Sequence, residues 1–314
     1  MKKKLSFLLL GYSNIARKRI IEVFLKNKVT FSIASKSHIK KIKGVQKQFT
    51  NYEDALLNSG ANIVYISLPN SLHFKWAKIA LQLGYHVVVD KPICYKFSET
   101  KELIKISKKK NRLLSEAIFY NYHSQFKKLI KDIKNIRLIT QVKVNFAIPL
   151  PDKKSLLLSK KFKGGVIMDM GPYAASINRI FFNQKIISKK IIVKKNIKNI
   201  PISFNLTIQY QDKVFHGLFK FGGDYINEVI FYTKNQEIKL SRVFSPPSDV
   251  NLNLEIIKKG VKQNCIIKSD NCFENYFKEL KKKIYHGDYF FYLKQIEQDH
   301  KFREMIQKEH INKS

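Results

Sequence analysis

Five short apolar runs alternate with helical patterns over the first 118 residues, and this alternation restricts the fold more than any other feature. The runs are LSFLLL, VTFSIAS, ANIVYISLP, YHVVVDKP and RLLSEAI. Between them, apolar residues recur at helical spacing over 14–26, 52–58, 71–83 and 97–110. Continuous apolar strands separated by helices are typical of a parallel sheet that is covered on both faces. Because crossovers between parallel strands are right-handed, residues 1–118 are predicted to form a doubly wound α/β domain.

The pattern changes after residue 118. Most later strands follow one another without a helix between them: IRLITQVKVNFAI, KIIVKK, ISFNLTIQYQ, VFHGLFKF, NEVIFYT and QEIKLSRVFS. Helices are predicted over 125–134, 171–182, 274–285 and 288–308. Strands joined without helices indicate a large, open and mostly antiparallel sheet. Residues 119–314 are therefore predicted to form a second domain of the α+β class.

The composition excludes several classes of protein. Hydrophobic residues make up 44% of the 314 residues, which is enough for a core, yet no apolar stretch approaches the ~18 residues of a membrane span. The start MKKKLSFLLL has some features of a secretion signal, but its apolar core is short and Arg17, Lys18 and Arg19 follow it, so we interpret it as a strand. Three cysteines without a CxxC pair predict a reducing compartment, and hence the cytoplasm.

The formal net charge of +35 raises the question of nucleic-acid binding. Only seven of the 59 basic residues are arginine, the residue that dominates direct contacts to bases, and the lysines are scattered over the whole chain. Scattered lysines indicate solvated surfaces rather than a nucleic-acid footprint. The charge is still expected to attract small anionic substrates.

The stretch FLLLGYSNIARKR has the shape of a nucleotide-binding turn. An apolar strand ends at Gly11, a turn passes through Ser13, and a helix containing Ala16 follows. In the dinucleotide fingerprint the first glycine makes the tight turn, and the middle position lets the backbone approach a pyrophosphate at the helix start. The motif is weak alone, but its place between the first strand and the first helix of the domain supports it. It predicts cofactor contacts from Gly11, Ser13, Asn14, Ile15 and Ala16.

The end of the second strand bears on the choice of cofactor. An NAD site usually has an acidic residue about 20 residues after the glycines, on the ribose hydroxyls. Here the chain reads Ala34-Ser35-Lys36-Ser37, without a carboxylate. A hydroxyl followed by a cation suits a 2′-phosphate, so Ser35 and Lys36 predict NADP, with NAD as the alternative.

Four segments carry a resemblance to a known family, in order and over nearly the full length: GYSNIA, ISLPNSLHFKWAKIALQLGYHVVVDKP, SEAIFYNYHSQF and GGVIMDMGPY. The chain resembles the Gfo/Idh/MocA oxidoreductases, named for glucose–fructose oxidoreductase, inositol dehydrogenase and rhizopine catabolism. The family typically reads Pro-Asn-x-x-His, Gly-x-His-Val and Glu-Lys-Pro. Its residues stand in register here as Pro69, Asn70, His73, Gly84, His86, Val87, Lys91 and Pro92, whereas Asp90 replaces the usual Glu.

The resemblance implies a catalytic lysine. Lys91 would reach the nicotinamide and the reacting oxygen of a sugar-like substrate. A lysine at the carboxyl end of a parallel strand lies where such folds bind ligands, and its ammonium can polarise a carbonyl or stabilise an alkoxide. The family position also implies cofactor-side contacts from Leu68, Pro69, Asn70, His73, Asp90, Lys91 and Glu116.

The last segment departs from the family. Members usually read Gly-Gly and then Asp-x-Gly-x-His, with Asp and His serving the chemistry, whereas this chain has Asp169 and then Tyr173. Tyrosine occurs there in some members, so Tyr173 is predicted to be a general acid and Asp169 its catalytic neighbour one helical turn away. A further family Asp is Ser176 here. Tyr122 and His123 stand where members line the substrate pocket, beside Lys91, Asp169 and Tyr173.

These observations lead to one principal interpretation. The protein is expected to be an NAD(P)-dependent oxidoreductase that moves a hydride between nicotinamide and a sugar carbon, reducing a ketosugar or nucleotide-linked ketosugar in surface-polysaccharide or related biosynthesis. A nucleotide-binding sensor of the same fold without turnover and a basic nucleic-acid binder are the alternatives. No His/Cys cluster has metal-ligand spacing, so no metal is expected. The resemblance also implies a homo-oligomer, a dimer or tetramer built through the second domain's sheet.

Overall fold

The computed structural model describes residues 5–37, 40–133, 136–182 and 184–311. The chain divides into two compact units. The first unit comprises residues 1–117 together with 276–297, and the second comprises 118–275 together with the chain from 298 onward. The sequence-based division assigns everything after residue 118 to the second domain, and it therefore differs from this division over 276–297.

The first unit is built on a parallel sheet of six strands within the described residues. Its order is β3-β2-β1-β4-β5-β6. The strands are β1 Phe7–Leu10, β2 Phe31–Ala34, β3 Gln48–Phe49, β4 Ile63–Ile66, β5 His86–Asp90 and β6 Leu114–Ala117. The helices are α1 Ile21–Lys26, α2 Tyr52–Asn58, α3 Asn70–Gln82, α4 Phe97–Lys110 and the greater part of α7 Cys272–His286, and a π-helical turn over Ala16–Ile20 precedes α1. The predicted doubly wound domain is confirmed.

The register of the central strands assembles the functional edge of this sheet. All residues of β1, β2 and β4 are buried, as expected for strands with helices on both faces. Leu10 is paired with both Ala34 and Ile66. The three loops that follow these strands therefore begin side by side, at the carboxyl ends where doubly wound folds bind ligands.

Helix α7 contributes to the core of the first unit from a distant part of the sequence. The Phe277 ring contacts the rings of Phe7, Phe24 and Tyr65 at centroid distances of 5.6, 4.9 and 6.0 Å. The Tyr276 hydroxyl donates to Ser115 Oγ at 2.8 Å. The aromatic end of this unit's core is therefore completed by residues that follow the second unit's sheet.

The second unit holds an eight-stranded sheet within the described residues, in the order β14-β13-β12-β11-β7-β10-β9-β8. The strands are β7 Ile139–Ile148, β8 Ser188–Lys195, β9 Pro201–Gln209, β10 Val214–Phe221, β11 Ile226–Thr233, β12 Gln236–Ser241, β13 Leu252–Lys258 and β14 Val261–Ile267. The pairing of β7 with β10 is parallel and the other pairings are antiparallel. The helices of this unit are α5 Ser124–Ile133, α6 Val166–Phe181 and the greater part of α8 Leu293–Ile311. The predicted antiparallel sheet is confirmed.

Helix α6 covers the middle of this sheet, against β7, β9 and β10. It begins at Val166 rather than at the predicted Gly171, because Pro172 lies inside the helix instead of marking its start. Helix α8 begins at Leu293 rather than at the predicted 288. No helix among the described residues is long and apolar enough to cross a membrane.

Candidate functional site

The turn after β1 accepts only glycine at its first position. Gly11 has φ 103°, and a Cβ built there would lie 2.1 Å from the carbonyl oxygen of Ser67. The Gly11 amide donates to the carbonyl of Ala34 at 2.8 Å. Both neighbouring strands therefore hold this turn, and the glycine of the predicted fingerprint is required by a close backbone approach.

Ser13 takes the place of the middle glycine and uses its hydroxyl. Ser13 Oγ accepts from the Ala16 amide at 3.1 Å, which satisfies a donor at the helix start. The same hydroxyl lies 2.6 Å from Ser67 Oγ. Asn14 and Ile15 are exposed beside it. The turn is therefore linked by a side-chain hydrogen bond to the end of β4.

The hydrogen bonds continue to Asp90 at the end of β5. Ser67 Oγ donates to Asp90 Oδ2 at 2.5 Å, and the Tyr65 hydroxyl donates to Asp90 Oδ1. Burial raises the pKa of the Asp90 carboxyl, against the opposing effect of these two hydrogen bonds and of the charges of His73 and Lys91. Sequence reasoning missed Tyr65 and Ser67, because they occupy an apolar strand and its end without a motif of their own.

The turn that carries Lys91 is held from two sides. Lys91 directly follows β5 and is half-buried. The Ile93 amide donates to Glu116 Oε1 at 2.9 Å, so the buried Glu116 carboxylate supports this turn from β6. His73 Nδ1 lies 2.7 Å from the Pro92 carbonyl oxygen, and His73 Nε2 lies 2.7 Å from that of Leu68. His73 and Glu116 thus bind the backbone of Pro92 and Ile93, the two residues that directly follow Lys91.

The residues predicted to select the cofactor lie at the end of β2. Ser35 is buried, and its hydroxyl accepts from the Ser37 amide at 3.2 Å. Lys36 is exposed, with its ammonium 5.7 Å from the centre of the Tyr52 ring. A cavity of about 440 Å³ opens beside this strand end. Its lining is Ile33, Ser35, Ser37, Lys41, Val45, Gln46, Lys47, Gln48, Phe49 and Thr50, with two lysines and no carboxylate among these residues.

In the second unit, Tyr173 has a fixed ring on helix α6. The ring is stacked on Phe244 at a centroid distance of 4.8 Å, and it makes edge contacts with Tyr120 at 5.8 Å and Phe146 at 5.6 Å. It remains half-buried. Asp169 is also half-buried, one turn earlier in the first turn of the same helix. The predicted pair therefore shares one helix, as its spacing indicates.

The glycines before this pair have a packing role. A Cβ at Gly164 would lie 2.5 Å from the Leu156 carbonyl oxygen. Gly165 has φ 105°, and its amide donates to the Leu157 carbonyl at 2.7 Å. The double glycine therefore lets the preceding turn close tightly onto the start of α6, and it sets the position of the first turn, which contains Asp169.

Ser176 replaces a family aspartate and has a structural partner. Its hydroxyl lies 2.6 Å from the Tyr120 hydroxyl and donates to the Tyr173 carbonyl at 3.0 Å. Burial is the main cause that raises the pKa of Tyr120, so this phenol stays neutral. A carboxylate at 176 would stand in this apolar surrounding, so the substitution to serine fits the aromatic environment.

Tyr122 and His123 have different surroundings. Tyr122 is half-buried, whereas His123 is fully buried and its Nδ1 accepts from the Gln125 amide at 3.2 Å. Burial lowers the pKa of His123, against the effect of Asp270. Asp270 Oδ2 accepts from the Ser124 amide at 2.7 Å. Sequence reasoning missed Asp270, which supports this segment from 146 residues away.

The fold and these contacts define a Rossmann-type nucleotide-binding unit with a lysine at its ligand-binding edge. Residues 5–118 match the model of the Gfo/Idh/MocA family, described as an oxidoreductase family with an NAD-binding Rossmann fold. Over these residues, the resemblance to this family that the sequence predicts is confirmed. Among the described residues, no group of three or more His, Cys, Asp or Glu side chains could hold a metal ion.

Curated relatives match parts of the chain. The D-xylose 1-dehydrogenase (NADP(+)) 2 of Haloferax volcanii is 30% identical over 140 residues, which cover 44% of this chain and 43% of the relative. The dTDP-3,4-didehydro-2,6-dideoxy-alpha-D-glucose 3-reductase of Saccharopolyspora spinosa is 24% identical over 216 residues, 67% of this chain and 64% of the relative. The chain thus spans less than two thirds of the length of either protein.

Solved structures match the whole chain in fold. KijD10, a 3-ketoreductase from Actinomadura kijaniata in complex with NADP and TDP-benzene, has a TM-score of 0.88 at 17% identity, over 98% of both chains. The aldose-aldose oxidoreductase from Caulobacter crescentus has a TM-score of 0.84 at 17% identity, over 99% of both chains. At this identity the similarity shows a shared fold.

Proposed function

We propose that the protein is an NADP(H)-dependent oxidoreductase that reduces the keto group of a sugar, with a nucleotide-linked ketosugar as the preferred substrate class. The observation that carries the proposal is Lys91 at the carboxyl end of β5, on a turn bound by His73 and Glu116 and joined through Asp90 to the glycine turn. The names of the relatives, which include an NADP(+)-dependent sugar dehydrogenase and several ketosugar 3-reductases, support this substrate class.

The residues of the first unit suit the proposed cofactor. The turn from Gly11 to Ala16 brings backbone close to the strand ends, where a pyrophosphate would be held. Ser35 and Lys36 would bind the 2′-phosphate, because a hydroxyl and a cation stand where an NAD site usually has a carboxylate. When bound, NADPH supplies the hydride.

Lys91 and Tyr173 are proposed to act on the sugar oxygen. The Lys91 ammonium polarises the carbonyl and stabilises the negative charge that develops on its oxygen as the carbon accepts the hydride. The Tyr173 hydroxyl gives its proton to that oxygen, which completes the alcohol. Asp169 is proposed to orient the substrate from the same helix as Tyr173. Tyr122 and His123 stay predictions for the substrate pocket.

A substrate screen tests the proposal. NADPH oxidation is followed with free ketosugars and with dTDP- and UDP-linked ketosugars, and we expect the highest kcat/KM with a nucleotide-linked one. Lys91→Ala should lower turnover by about 10²–10⁴-fold, the range for one charge-stabilising or acid–base group. NADPH affinity, measured by titration, should change much less. Tight NADPH binding without turnover of any sugar would contradict the proposal and favour a sensor.

The assembly and location of the protein are part of this proposal. We expect a homo-oligomer built through the sheet of the second unit, as the family resemblance implies. The chain has three cysteines and no CxxC pair, which supports the proposed cytoplasmic location.

A further inference from the structure

His73 makes two contacts that a neutral histidine cannot make together. The residue lies in the first turn of α3 and is 0% exposed. Its Nδ1 is 2.7 Å from the Pro92 carbonyl oxygen, and its Nε2 is 2.7 Å from the Leu68 carbonyl oxygen. A carbonyl oxygen only accepts hydrogen bonds, whereas a neutral imidazole donates from one nitrogen and accepts at the other. Both contacts are hydrogen bonds only when both nitrogens carry protons.

The surroundings of His73 contain the charge that such a cation requires. A buried charge is stable in a protein when it is paired and hydrogen-bonded. Asp90 is the carboxyl group that can supply the opposite charge: burial raises its pKa, and the charges of His73 and Lys91 oppose that rise. Tyr65 and Ser67 donate to the Asp90 oxygens and hold that carboxylate in place. Glu116 is another carboxylate at this edge; it is buried and accepts from the Ile93 amide.

The two carbonyls belong to the loops that carry the proposed chemistry. Leu68 precedes Pro69 and Asn70, the predicted cofactor contacts, and Pro92 follows Lys91 directly. One rigid ring therefore ties the loop after β4 to the turn after β5. We propose that His73 is held as an imidazolium at neutral pH and is a positioning residue for Lys91, through the backbone of both loops. The effect on Lys91 rests on the proposed function, whereas the charge state does not.

Nitrogen NMR of the cofactor-free protein tests the charge state directly. Histidine labelled with ¹⁵N in the ring is introduced into the full chain, and His73→Gln assigns the His73 signals. We expect two protonated ring nitrogens for His73 at pH 7.5, with slowly exchanging protons because the ring is buried. A ring with one protonated and one bare nitrogen at pH 7.5 overturns the proposal, whatever the enzymatic activity. If that variant does not fold, His73 is the signal that remains after the other buried histidines, His86, His123 and His300, have each been assigned by a substitution of their own.

Kinetics test the positioning role. Glutamine has a single nitrogen donor and cannot bridge both carbonyls, so His73→Gln should lower kcat by about 10²-fold, the cost of misplacing a reactive group by about 1 Å. The matched control is His216→Gln, at a partly exposed position on β10 in the second unit. If His73 acts through Lys91, the double variant His73→Gln/Lys91→Ala should turn over no more slowly than Lys91→Ala. If the losses of turnover in the two single variants multiply in the double variant, the positioning role is overturned. Absence of turnover in the parent chain would refute the proposed function and leave the NMR result standing.

Discussion

At the scale of single residues, two positions that differ from the family pattern form hydrogen bonds with neighbouring residues. Ser13 replaces a glycine, and its hydroxyl joins Ser67, whose own hydroxyl reaches Asp90. Asp90 replaces the usual glutamate, and Tyr65 and Ser67 donate to its oxygens. The two replaced positions, Ser13 and Asp90, are thus joined by hydrogen bonds through Ser67.

The hydroxyl of Tyr173 gives a prediction about turnover. Tyr173→Phe should keep the ring contacts with Phe244, Tyr120 and Phe146, and hence the thermal stability. It removes the proposed acid, so turnover should fall by about 10²–10⁴-fold. Tyr173→His should retain more activity than Tyr173→Phe, because histidine can also donate a proton. Steady-state kinetics with the identified sugar and NADPH measure this, and parental activity of Tyr173→Phe would make Tyr173 only a wall of the pocket.

Lys36 gives a prediction about the cofactor. The parent protein should bind NADP(H) more tightly than NAD(H), because a hydroxyl and a cation follow β2 where an NAD site has a carboxylate. Lys36→Ala should narrow this difference by about 1–2 kcal/mol, the contribution of a charge-assisted contact. Titration with both cofactors measures it, with the exposed Lys109→Ala on α4 as the control. Tighter binding of NAD(H) by the parent would disprove the assignment.

At the scale of helices and strands, predictability follows the strength of the local signal. The predicted bounds of α2 and α4 agree with the structure. The Asn51 side chain caps α2 by accepting from the Asp54 amide at 2.9 Å, and Asn111 ends α4 with φ 50°. In contrast, β14 was not predicted, because it is an edge strand with four exposed residues in a row and lacks an alternating pattern.

The residues that hold the backbone of the site could not be predicted as such from the sequence, for a related reason. His73 and Glu116 act on backbone atoms of a distant turn, at 19 and 23 residues' separation. A family motif marks such residues as important, but only the register of the strands shows what they bind. The sequence therefore predicts the members of this site better than their partners.

His86, at the start of β5, gives a prediction about pH. Its Nδ1 accepts from the Leu113 amide at 3.0 Å, which requires a neutral ring. Burial, followed by the charge of Arg112, lowers its pKa from 6.5 to about 4. The unfolded chain therefore binds this proton at a higher pH than the folded one. The stabilisation is complete above pH ~6.5 and is lost as the pH falls toward about 4.

The pH dependence of unfolding measures this effect. From pH 7.5 to 5, the parent should lose about 2 kcal/mol more of its free energy of unfolding than His86→Asn, because each pKa unit contributes about 1.4 kcal/mol. Asparagine keeps an acceptor near the Leu113 amide and does not titrate in this range. Urea unfolding at both pH values gives the comparison, and equal losses in the two proteins would show that His86 is not the titrating group.

At the scale of the whole molecule, two classes of architecture could be predicted, but their division along the chain could not. The boundary near residue 118 is visible because the strand pattern changes there. The return of residues 276–297 to the first unit is not visible in the sequence. The apolar face of α7 shows that this helix packs against a core, but it does not show which of the two cores. Its Phe277 belongs to a cluster with Phe7, Phe24 and Tyr65, which only tertiary contacts define.

The open sheet of the second unit gives the prediction about assembly. Along β10, Phe215, Gly217, Phe219 and Phe221 are buried on one side, whereas Val214, His216, Leu218 and Lys220 alternate with them and remain half-buried. Helix α6 covers the sheet at β7, β9 and β10. Leu218 is paired with Asn145 and Asn205. The face of the sheet that carries the half-buried residues of β10 therefore mixes apolar and polar side chains in the middle of the sheet. Such a face is suited to burial against a second copy.

Light scattering at micromolar concentration should therefore give a multiple of the 36.8 kDa chain mass. Leu218→Asp should shift the protein toward the monomer, because it places a carboxylate on the face expected to be buried. Leu57→Asp is the control, since Leu57 is 70% exposed on α2 in the first unit. The net charge of +35 per copy opposes association, so the measurement needs at least ~0.15 M salt, where the Debye length is about 8 Å. A monomer at that salt concentration would refute the proposed assembly. An oligomer unaffected by Leu218→Asp would place the interface elsewhere on the chain.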